Sequence, residues 1–327
     1  MSGVPIPARP RGRHRLVSTA ARRLTLLLTT AAVLVGSGTL VAHQTQSASA
    51  ATTTTTTTTT TKPIVFGASG GDQVAKLSTN IGAPLGKHVY AKLNGPVLDG
   101  RMINIATNVP WRTVASAKAG SATYNDLVRW ADTLKQRQGP ILVAFSHEPE
   151  GKSSAREKLG TAAEFIAAWR KVHDVFQARG VRNVEYTWTM TSNAFRVKPG
   201  DARYAPKWYP GDAYVDNVAT AAYNWYTCGE GNGQWLSLQN RAAAPLAFAK
   251  AHKKGYVLAE WASQKDARRA QWLKDARSFM LANASSIRGA FYYQSPTPRP
   301  GCSWMLTTSA EFTAFGQMAK DRTDFGG

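Results

Sequence analysis

Two glutamates stand directly after short apolar runs, at positions where they could do chemistry. Ile141–Ser146 leads into His147 and Glu148, and Tyr256–Ala259 leads into Glu260. Two facing carboxyl groups can cleave a glycosidic bond, because one protonates the departing oxygen while the other attacks the anomeric carbon. The acid needs a raised pKa and the nucleophile must stay ionised, so the two groups need unlike surroundings.

The elements that must position these glutamates follow from the hydrophobic pattern. Short apolar runs alternate with amphipathic stretches, which predicts a parallel (β/α)₈ or TIM barrel. We predict strands at 64–68, 88–93, 102–106, 141–146, 184–189, 218–223, 256–260 and 289–294, and helices at 124–136, 161–179, 245–252, 267–282 and 310–319. Active sites of such barrels lie at the C-terminal ends of the strands, and the two glutamates follow strands four and seven.

An open doubly wound sheet would share this alternation of strands and helices. Such sheets usually carry a glycine-rich phosphate turn after an early strand, and the segment FGASGG at 66–71 lacks the required glycine spacing. The closed barrel is therefore the preferred fold. One large domain is expected over residues 62–327, since no later low-complexity stretch or internal repeat interrupts it.

Other residues near the strand ends could take part in the site. Glu150 is a second candidate for the acid, because it lies two residues after Glu148 and could face the same way; otherwise it is a loop carboxylate. Aromatic side chains offer flat faces for sugar rings, and we place Trp188, Tyr223 and Trp261 in the substrate-binding set. Ordinary core packing is the competing interpretation for each ring.

Several segments, taken in order, resemble glycoside hydrolase family 26. The similar segments are SHEPEG at 146–151, NVEYTWTMTSN at 183–193, WYPGDAYVDNVATAAYNW at 208–225, GYVLAEWAS at 255–263, RRAQWLKDA at 268–276 and GAFYYQSPTPRPGCSW at 289–304. The resemblance implies a retaining enzyme that works by double displacement. It implies that Glu148 is the acid/base, that Glu260 is the nucleophile, that His147 supports the site, and that Tyr223 donates a hydrogen bond to the nucleophile.

The sequence departs from the family pattern at two places. The family commonly has Glu-Phe-Gly where this chain has Glu260-Trp261-Ala262, and Gly-x-Asp-Gly where it has Ala219 to Ala222. The missing Asp concerns subsite contacts more than the chemistry. The resemblance implies a β-linked polysaccharide as substrate, either mannan, β-glucan or β-1,3-xylan, without choosing among them.

Readings other than catalysis remain open at this point. One is a non-catalytic glycan-binding barrel of the cell envelope, although binding alone needs neither Glu148 nor Glu260. Another is a wall-associated scaffold that acts through its basic charge. The chain has no clustered Cys or His at metal-ligand spacing, and we expect neither a metal nor a cofactor.

The N-terminal region has the pattern of an export signal followed by a linker. Residues 1–23 hold six arginines and no acid, Leu24–Ala42 is apolar, and Ala48-Ser49-Ala50 is a small-residue cleavage pattern. Residues 1–50 are therefore a signal peptide or an uncleaved membrane anchor. The threonine-rich segment 51–61 has no hydrophobic period and is interpreted as a disordered linker. Either way, we expect the barrel outside the cytoplasm, secreted or anchored.

Charge and cysteine content bear on partners and on compartment. The formal net charge is +20, and without the six leader arginines it would be +14. Such a surface could associate with acidic polymers or an anionic cell envelope, or could simply be solvated. We find no nucleic-acid motif and expect a monomer. Cys228 and Cys302 are the only cysteines, which in an exported chain favours a disulfide over two buried thiols.

The leader assignment predicts the start of the mature chain. We expect the secreted product to begin at or near Ala51, with the threonine segment exposed, because cleavage follows small residues at 48–50. Intact mass of the protein from culture medium measures this. Recovery of the full-length chain from membranes alone would show that the leader is an anchor.

Overall fold

The computed structural model describes residues 62–151, 157–296 and 299–326, so the leader and the linker lie outside the described residues. Eight parallel strands run in chain order around a closed barrel, because β1 pairs with both β2 and β8. They are β1 (Ile64–Ser69), β2 (Gly86–Lys92), β3 (Met102–Ala106), β4 (Ile141–Phe145), β5 (Val184–Thr191), β6 (Asn217–Asn224), β7 (Gly255–Ser263) and β8 (Ile287–Tyr293). The predicted TIM barrel is thereby confirmed. A short β9 (Phe325–Gly326) adds to the start of β1.

Helices connect the strands on the outside of the barrel. In the described ranges they are α1 (Asp72–Ile81), α2 (Trp111–Ala115), α3 (Ala122–Lys135), α4 (Ala162–Ala178), α5 (Leu238–Ala251), α6 (Arg269–Ala282) and α7 (Ser309–Lys320). The sequence analysis missed α1 and α2. It also began α5 too late, at Pro245. The helix starts at a capping box in which Ser237 and Asn240 bond each other's backbone N–H groups, and Pro245 lies inside it.

The apolar side chains form two packed layers. The smaller layer fills the inside of the barrel and comprises Met102, Leu142, Ala144, Ala219, Val257, Ala259 and Phe291. The larger layer lies between the barrel and the helices and contains most of the aromatic rings. Alternate residues of one strand enter the two layers, as the period of two in a β-strand requires.

An irregularity in β7 interrupts this alternation at the point where Glu260 occurs. Leu258 pairs with Ala290 and Trp261 with Tyr292, so that Ala259 and Glu260 together oppose the single residue Phe291. The extra residue of such a bulge shifts the phase of every side chain after it. Ala259 points into the barrel, Glu260 faces the open end, and Trp261 turns outward to the helices.

A disulfide and a buried ion pair hold the loops that follow β6, β7 and β8. The predicted disulfide joins Cys228, in the loop after β6, to Cys302, in the loop after β8. Arg269 is fully buried, forms an ion pair with Glu311 at 2.7 Å, and donates to the carbonyls of Ser303 and Met305 at 3.0 and 2.8 Å. The segment between the disulfide and α7 is thus fixed from two sides. No helix in the described ranges is long and apolar enough to cross a membrane.

The buried ion pair predicts a large loss of stability when one partner is removed. Arg269→Ala leaves the Glu311 carboxylate without its charge partner, and we expect the free energy of unfolding to fall by about 3–5 kcal/mol. Arg179→Ala is the matched control, because Arg179 pairs with Asp132 on the surface at 2.8 Å and such pairs contribute only about 0–1 kcal/mol. Urea denaturation of both variants measures the difference, and equal losses would contradict the assigned role of Arg269.

Candidate active site

A cleft of about 1100 Å³ opens at the C-terminal ends of the strands. Its lining includes five of the residues singled out from the sequence: His147, Glu148, Glu150, Tyr223 and Glu260. The fold brings them together because β4, β6 and β7 all end at this rim. No three His, Cys, Asp or Glu side chains in the described ranges are arranged to hold a metal ion.

The carboxylate of Glu260 is held on both oxygens by tyrosine hydroxyls. Tyr223, on β6, donates to Oε2, and Tyr90, on β2, donates to Oε1. The Glu260 residue is only 7% exposed, so these donors take the place of water around a buried charge. Burial of the two hydroxyl groups, followed by the negative charge of Glu260, raises the pKa values of Tyr90 and Tyr223 well above 10. Both hydroxyls therefore stay protonated and remain donors.

His147 lies between the two glutamates. Its Nε2 is 3.5 Å from Oε1 of Glu260 and 3.8 Å from Oε1 of Glu148. The two carboxyl oxygens can be no farther apart than the sum of these distances. Both carboxyl groups therefore border the same imidazole ring.

His88 lies below the pair, inside the barrel. Its Nδ1 is 3.0 Å from the carbonyl oxygen of Ala259, the residue at the bulge, and its ring packs on Tyr90 with centroids 4.5 Å apart. Burial is the main cause that lowers the pKa of His88, to about 4, so the imidazole is neutral near pH 7. Its ring therefore fixes the positions of the bulge and of Tyr90 without adding a full charge.

The environment of Glu260 favours its ionised form. Burial alone would raise the pKa of this carboxyl group. The nearby imidazole of His147, that of His88 when it is protonated, and the hydrogen bonds from Tyr223 and Tyr90 outweigh burial and lower the pKa below its ordinary value. An ionised carboxylate at this position can act as a nucleophile.

Glu148 stands on a tight turn that neighbouring strands hold in place. Its N–H donates to the carbonyl of Thr189 on β5 at 3.0 Å, and the N–H of His147 donates to Oδ1 of Asn104 on β3 at 3.1 Å. Ser146 and Glu148 have φ angles of 55° and 48°, which non-glycine residues adopt at a cost of about 1–3 kcal/mol each. The contacts to β3 and β5 sustain this turn and point Glu148 into the cleft.

Glu150 differs from Glu148 in its surroundings. Its Oε1 accepts hydrogen bonds from the backbone N–H and the hydroxyl of Thr191, both at 2.7 Å. Its Oε2 is buried and has no hydrogen-bond partner among the described residues. Burial, followed by the charge of Glu148, raises the pKa of Glu150 to about 7. The Glu150 side chain is therefore held against β5 at the wall of the cleft by hydrogen bonds from Thr191.

Aromatic rings form one side of the cleft. Tyr223, Trp225 and Trp304 pack with centroid distances of 5.0–5.3 Å, and the guanidinium of Arg299 lies 4.8 Å from the centre of the Trp225 ring. Tyr292 donates to the carbonyl of Trp304 at 2.8 Å. The disulfide and Arg269 fix the loops that carry Trp225 and Trp304, so these rings are held in place at one side of the cleft.

Two predicted substrate contacts are wrong. Trp188 is fully buried against Phe195, Tyr209 and Phe248, and Trp261 is fully buried against Trp272 and other rings between the barrel and the helices. Neither lines the cleft. The cause is strand geometry, since Trp188 has the outward phase of β5, and the bulge turns Trp261 outward next to Glu260.

Two residues of the site, His88 and Tyr90, were not predicted from the sequence. They occupy alternate positions of β2, and in a barrel strand alternate residues share a face. The available signal in the sequence was this pair, a polar and an aromatic residue on the same face of one strand. Tyr90 is also 41% exposed, so its ring presents a face to the cleft as well as its hydroxyl to Glu260.

Sequence comparison identifies the family of this barrel. The family model described as glycosyl hydrolase family 26 matches residues 113–274, a range that contains both glutamates. Endoglucanase H of Acetivibrio thermocellus is 25% identical over 225 residues, which covers 67% of this chain. The chain spans only 24% of the length of that relative. The chain belongs to glycosyl hydrolase family 26.

Solved structures of the family share the fold. A GH26 β-mannanase from Bacteroides ovatus matches with a TM-score of 0.54 at 15% identity, covering 81% of this chain and 90% of that one. The catalytic domain of a GH26 endo-β-1,4-mannanase from Bacillus sp. JAMB-750 matches with a TM-score of 0.52 at 16% identity, covering 80% and 87%. These two enzymes and this chain therefore share the barrel fold.

The hydroxyl of Tyr90 gives a test of the contacts around Glu260. Tyr90→Phe removes one donor to a charged acceptor while keeping the ring, and a hydrogen bond of this kind contributes about 1.5–3 kcal/mol. We expect kcat/KM to fall by about 10- to 100-fold. Tyr186→Phe, which removes a hydroxyl outside the cleft, is the matched control and should change it little. Unchanged kinetics in Tyr90→Phe would show that the contact has no role in activity.

The raised pKa of Glu150 predicts how stability depends on pH. Between its ordinary value of 4.5 and about 7, the folded chain keeps a proton that the unfolded chain has released, so wild-type stability falls as pH rises through this window. Glu150→Gln cannot ionise. Relative to wild type, the variant should therefore gain about 3 kcal/mol of unfolding free energy between pH 4.5 and pH 7.5. Denaturant titrations at both pH values measure this, and a difference independent of pH would contradict the buried state of Glu150.

Proposed function

We propose that this family 26 enzyme is an exported, retaining glycosidase that cleaves β-linked polysaccharide, with Glu260 as nucleophile and Glu148 as acid/base. One observation carries the proposal. The Glu260 carboxylate is buried, accepts a tyrosine hydroxyl on each oxygen, and shares the imidazole of His147 with Glu148. A barrel that only bound glycans would have no use for a second carboxyl group across this imidazole.

The first half of the reaction forms a covalent intermediate. Glu148 gives its proton to the departing glycosidic oxygen while Glu260 attacks the anomeric carbon from the opposite face, through an oxocarbenium-like transition state. The bond from the sugar to the leaving oxygen breaks, and a bond to a Glu260 oxygen forms. The hydroxyls of Tyr90 and Tyr223 hold the carboxylate in line and stabilise its charge before the attack.

The second half returns the free enzyme. Glu148, now ionised, takes a proton from a water molecule that attacks the anomeric carbon and releases Glu260. Two inversions give net retention of configuration. The same residue therefore serves as acid and then as base, which fits its position at the rim of the cleft, where water can reach it.

The substrate proposal follows from the relatives and from the rings in the cleft. The similar proteins are named as an endoglucanase and as β-mannanases. The rings of Tyr90, Tyr223 and Trp225 are at least partly exposed at the cleft and offer apolar faces for pyranose rings. We assign a β-linked glucan or mannan as the first candidate substrate, with β-1,3-xylan as the alternative.

Site of action is the last part of the proposal. The arginine-rich start, the apolar run and the small-residue cleavage pattern support export, and a disulfide is usual in exported proteins. The basic charge supports association with the anionic cell envelope. The enzyme then meets its polysaccharide outside the cytoplasm.

The two glutamates should fail in different ways when replaced. Glu260→Ala should lose nearly all activity, and azide or formate should restore turnover with inverted product by entering the space of the missing carboxylate. Glu148→Ala loses general acid and general base help, worth about 10²–10⁴-fold, and should keep more activity on aryl glycosides, whose leaving group needs no protonation in the first half. Product configuration by NMR and kinetics on both substrate types measure these effects.

Glu150→Gln is the matched control for this pair, because it removes the neighbouring carboxyl group from the same wall of the cleft. It should retain the aryl-glycoside to polysaccharide activity ratio of wild type. Full activity of Glu148→Ala on polysaccharide, combined with loss in Glu150→Gln, would move the acid role to Glu150. Inverted product from the unmodified enzyme would refute the role of Glu260.

A further inference from the structure

Arg241 is a cation in the cleft that the reaction does not use. It lies in the first turns of α5, and its side chain lines the cleft that contains Glu148 and Glu260. Its Nε is buried and has no hydrogen-bond partner among the described residues. Burying a donor of this kind costs free energy unless a partner satisfies it.

A second guanidinium makes this position less favourable still. Arg196, just after β5, is close enough to repel Arg241 and, together with burial as the larger cause, to lower its pKa. In the described part of the chain, neither arginine forms an ion pair with a carboxylate. Glu230 acts on Arg241 only at longer range, as a weaker opposing charge.

Arg203 adds a third guanidinium to the same wall of the cleft. It is held by Asp201 through Nε and Nη2 at 3.0 and 2.8 Å, and it also feels the charges of Glu230 and Glu150. Asp201 is committed to Arg203, and Glu150 has a pKa of about 7. The carboxyl groups whose charges act on Arg203 and Arg241 are Asp201, Glu230 and Glu150.

We propose that Arg241 binds an anionic substituent of the polysaccharide, with Arg196 and Arg203 reinforcing the positive field around it. This rests on the proposed function and narrows its substrate class to β-linked chains in which some sugars carry a carboxylate or a phosphate ester. The planar guanidinium suits both groups, because its N–H donors match the spacing of two anionic oxygens. Such an anion would offset the repulsion between Arg241 and Arg196.

The charge of the whole protein is consistent with this substrate class. Without the leader arginines the net charge is +14, so a polyanion would be attracted over long range. Long-range attraction does not distinguish positions on the surface. Arg241 differs because it lines the same cleft as Glu148 and Glu260 and could contact a substituent of a polysaccharide bound there. Its replacement should therefore change kcat/KM for anionic substrates alone.

The test compares three forms of each polysaccharide, which differ only in the substituent on the sugar chain. Mannan and β-glucan are each supplied unsubstituted, carboxymethylated and phosphorylated, and kcat/KM is measured for wild type, Arg241→Gln and Arg322→Gln. Arg322 is the matched control, because it is exposed and lies just before β9, at the opposite end of the barrel. Arg322→Gln removes the same charge from the protein and leaves the cleft unchanged.

We expect Arg241→Gln to lower kcat/KM at least about tenfold for an anionic form, equivalent to 1.4 kcal/mol, and to change it little for the neutral form. Arg322→Gln should match wild type on all forms. The carboxymethyl and phosphoryl forms show which anion is preferred. Equal loss on neutral and anionic forms, or no preference of wild type for either anionic form, overturns the proposal.

Binding separates this inference from the proposed function. Calorimetry on Glu260→Ala, with and without Arg241→Gln, measures affinity for the same oligosaccharides without turnover. If wild type cleaves none of the substrates but Glu260→Ala binds an anionic form through Arg241, the function fails and the anion site stands. If cleavage occurs and Arg241→Gln leaves anionic binding unchanged, the site fails and the function stands.

Discussion

The buried charge of Glu260 is the constraint around which the open end of the barrel is organised. A carboxylate that is 7% exposed must find partners to replace water. Its partners come from separate strands: Tyr90 from β2, Tyr223 from β6, and His147 from the turn after β4. Only a closed barrel brings these strands to face one point. The same contacts that compensate this charge therefore also bring the candidate site residues together.

The bulge in β7 and the turn after β4 are the two irregularities on which this solution depends. Without the extra residue at Ala259 and Glu260, strict alternation would send the carboxylate to the helices and Trp261 into the barrel. The positive φ angles of Ser146 and Glu148 are strained, and the hydrogen bonds that the His147 and Glu148 N–H groups donate to Asn104 and Thr189 sustain them. The Arg269–Glu311 ion pair and the disulfide stabilise the loops that carry the aromatic rings.

The sequence predicted the barrel because its signals are local. Buried strands such as β4 and β7 are continuous apolar runs, and a helix such as α4 repeats its apolar face and is capped by Thr161. The two glutamates could be located because strand ends define the active end of a parallel barrel. Helix α5 was begun late because Pro245 suggests a first turn, whereas Ser237 and Asn240 start the helix earlier.

The remaining features of the site depend on register and on contacts between distant residues. Trp188 and Trp261 could not be excluded from the cleft by composition, since the phase of each ring depends on pairing and, for Trp261, on the bulge. Tyr90 lies 170 positions before Glu260, and the closure of the barrel brings the two together. The unpaired Nε of Arg241 is likewise a property of its surroundings and leaves no local mark in the sequence.

The central claim is that Glu260 forms a covalent bond to the sugar, and trapping that intermediate tests it most directly. A 2-deoxy-2-fluoro β-glycoside with a good leaving group should inactivate the enzyme and add one glycosyl unit. Trypsin should release the label on Gly255–Lys265, in which Glu260 is the only acidic residue. Mass spectrometry that finds the sugar on this peptide agrees with the account. A label on another peptide, or turnover with inverted product and no label, would contradict it.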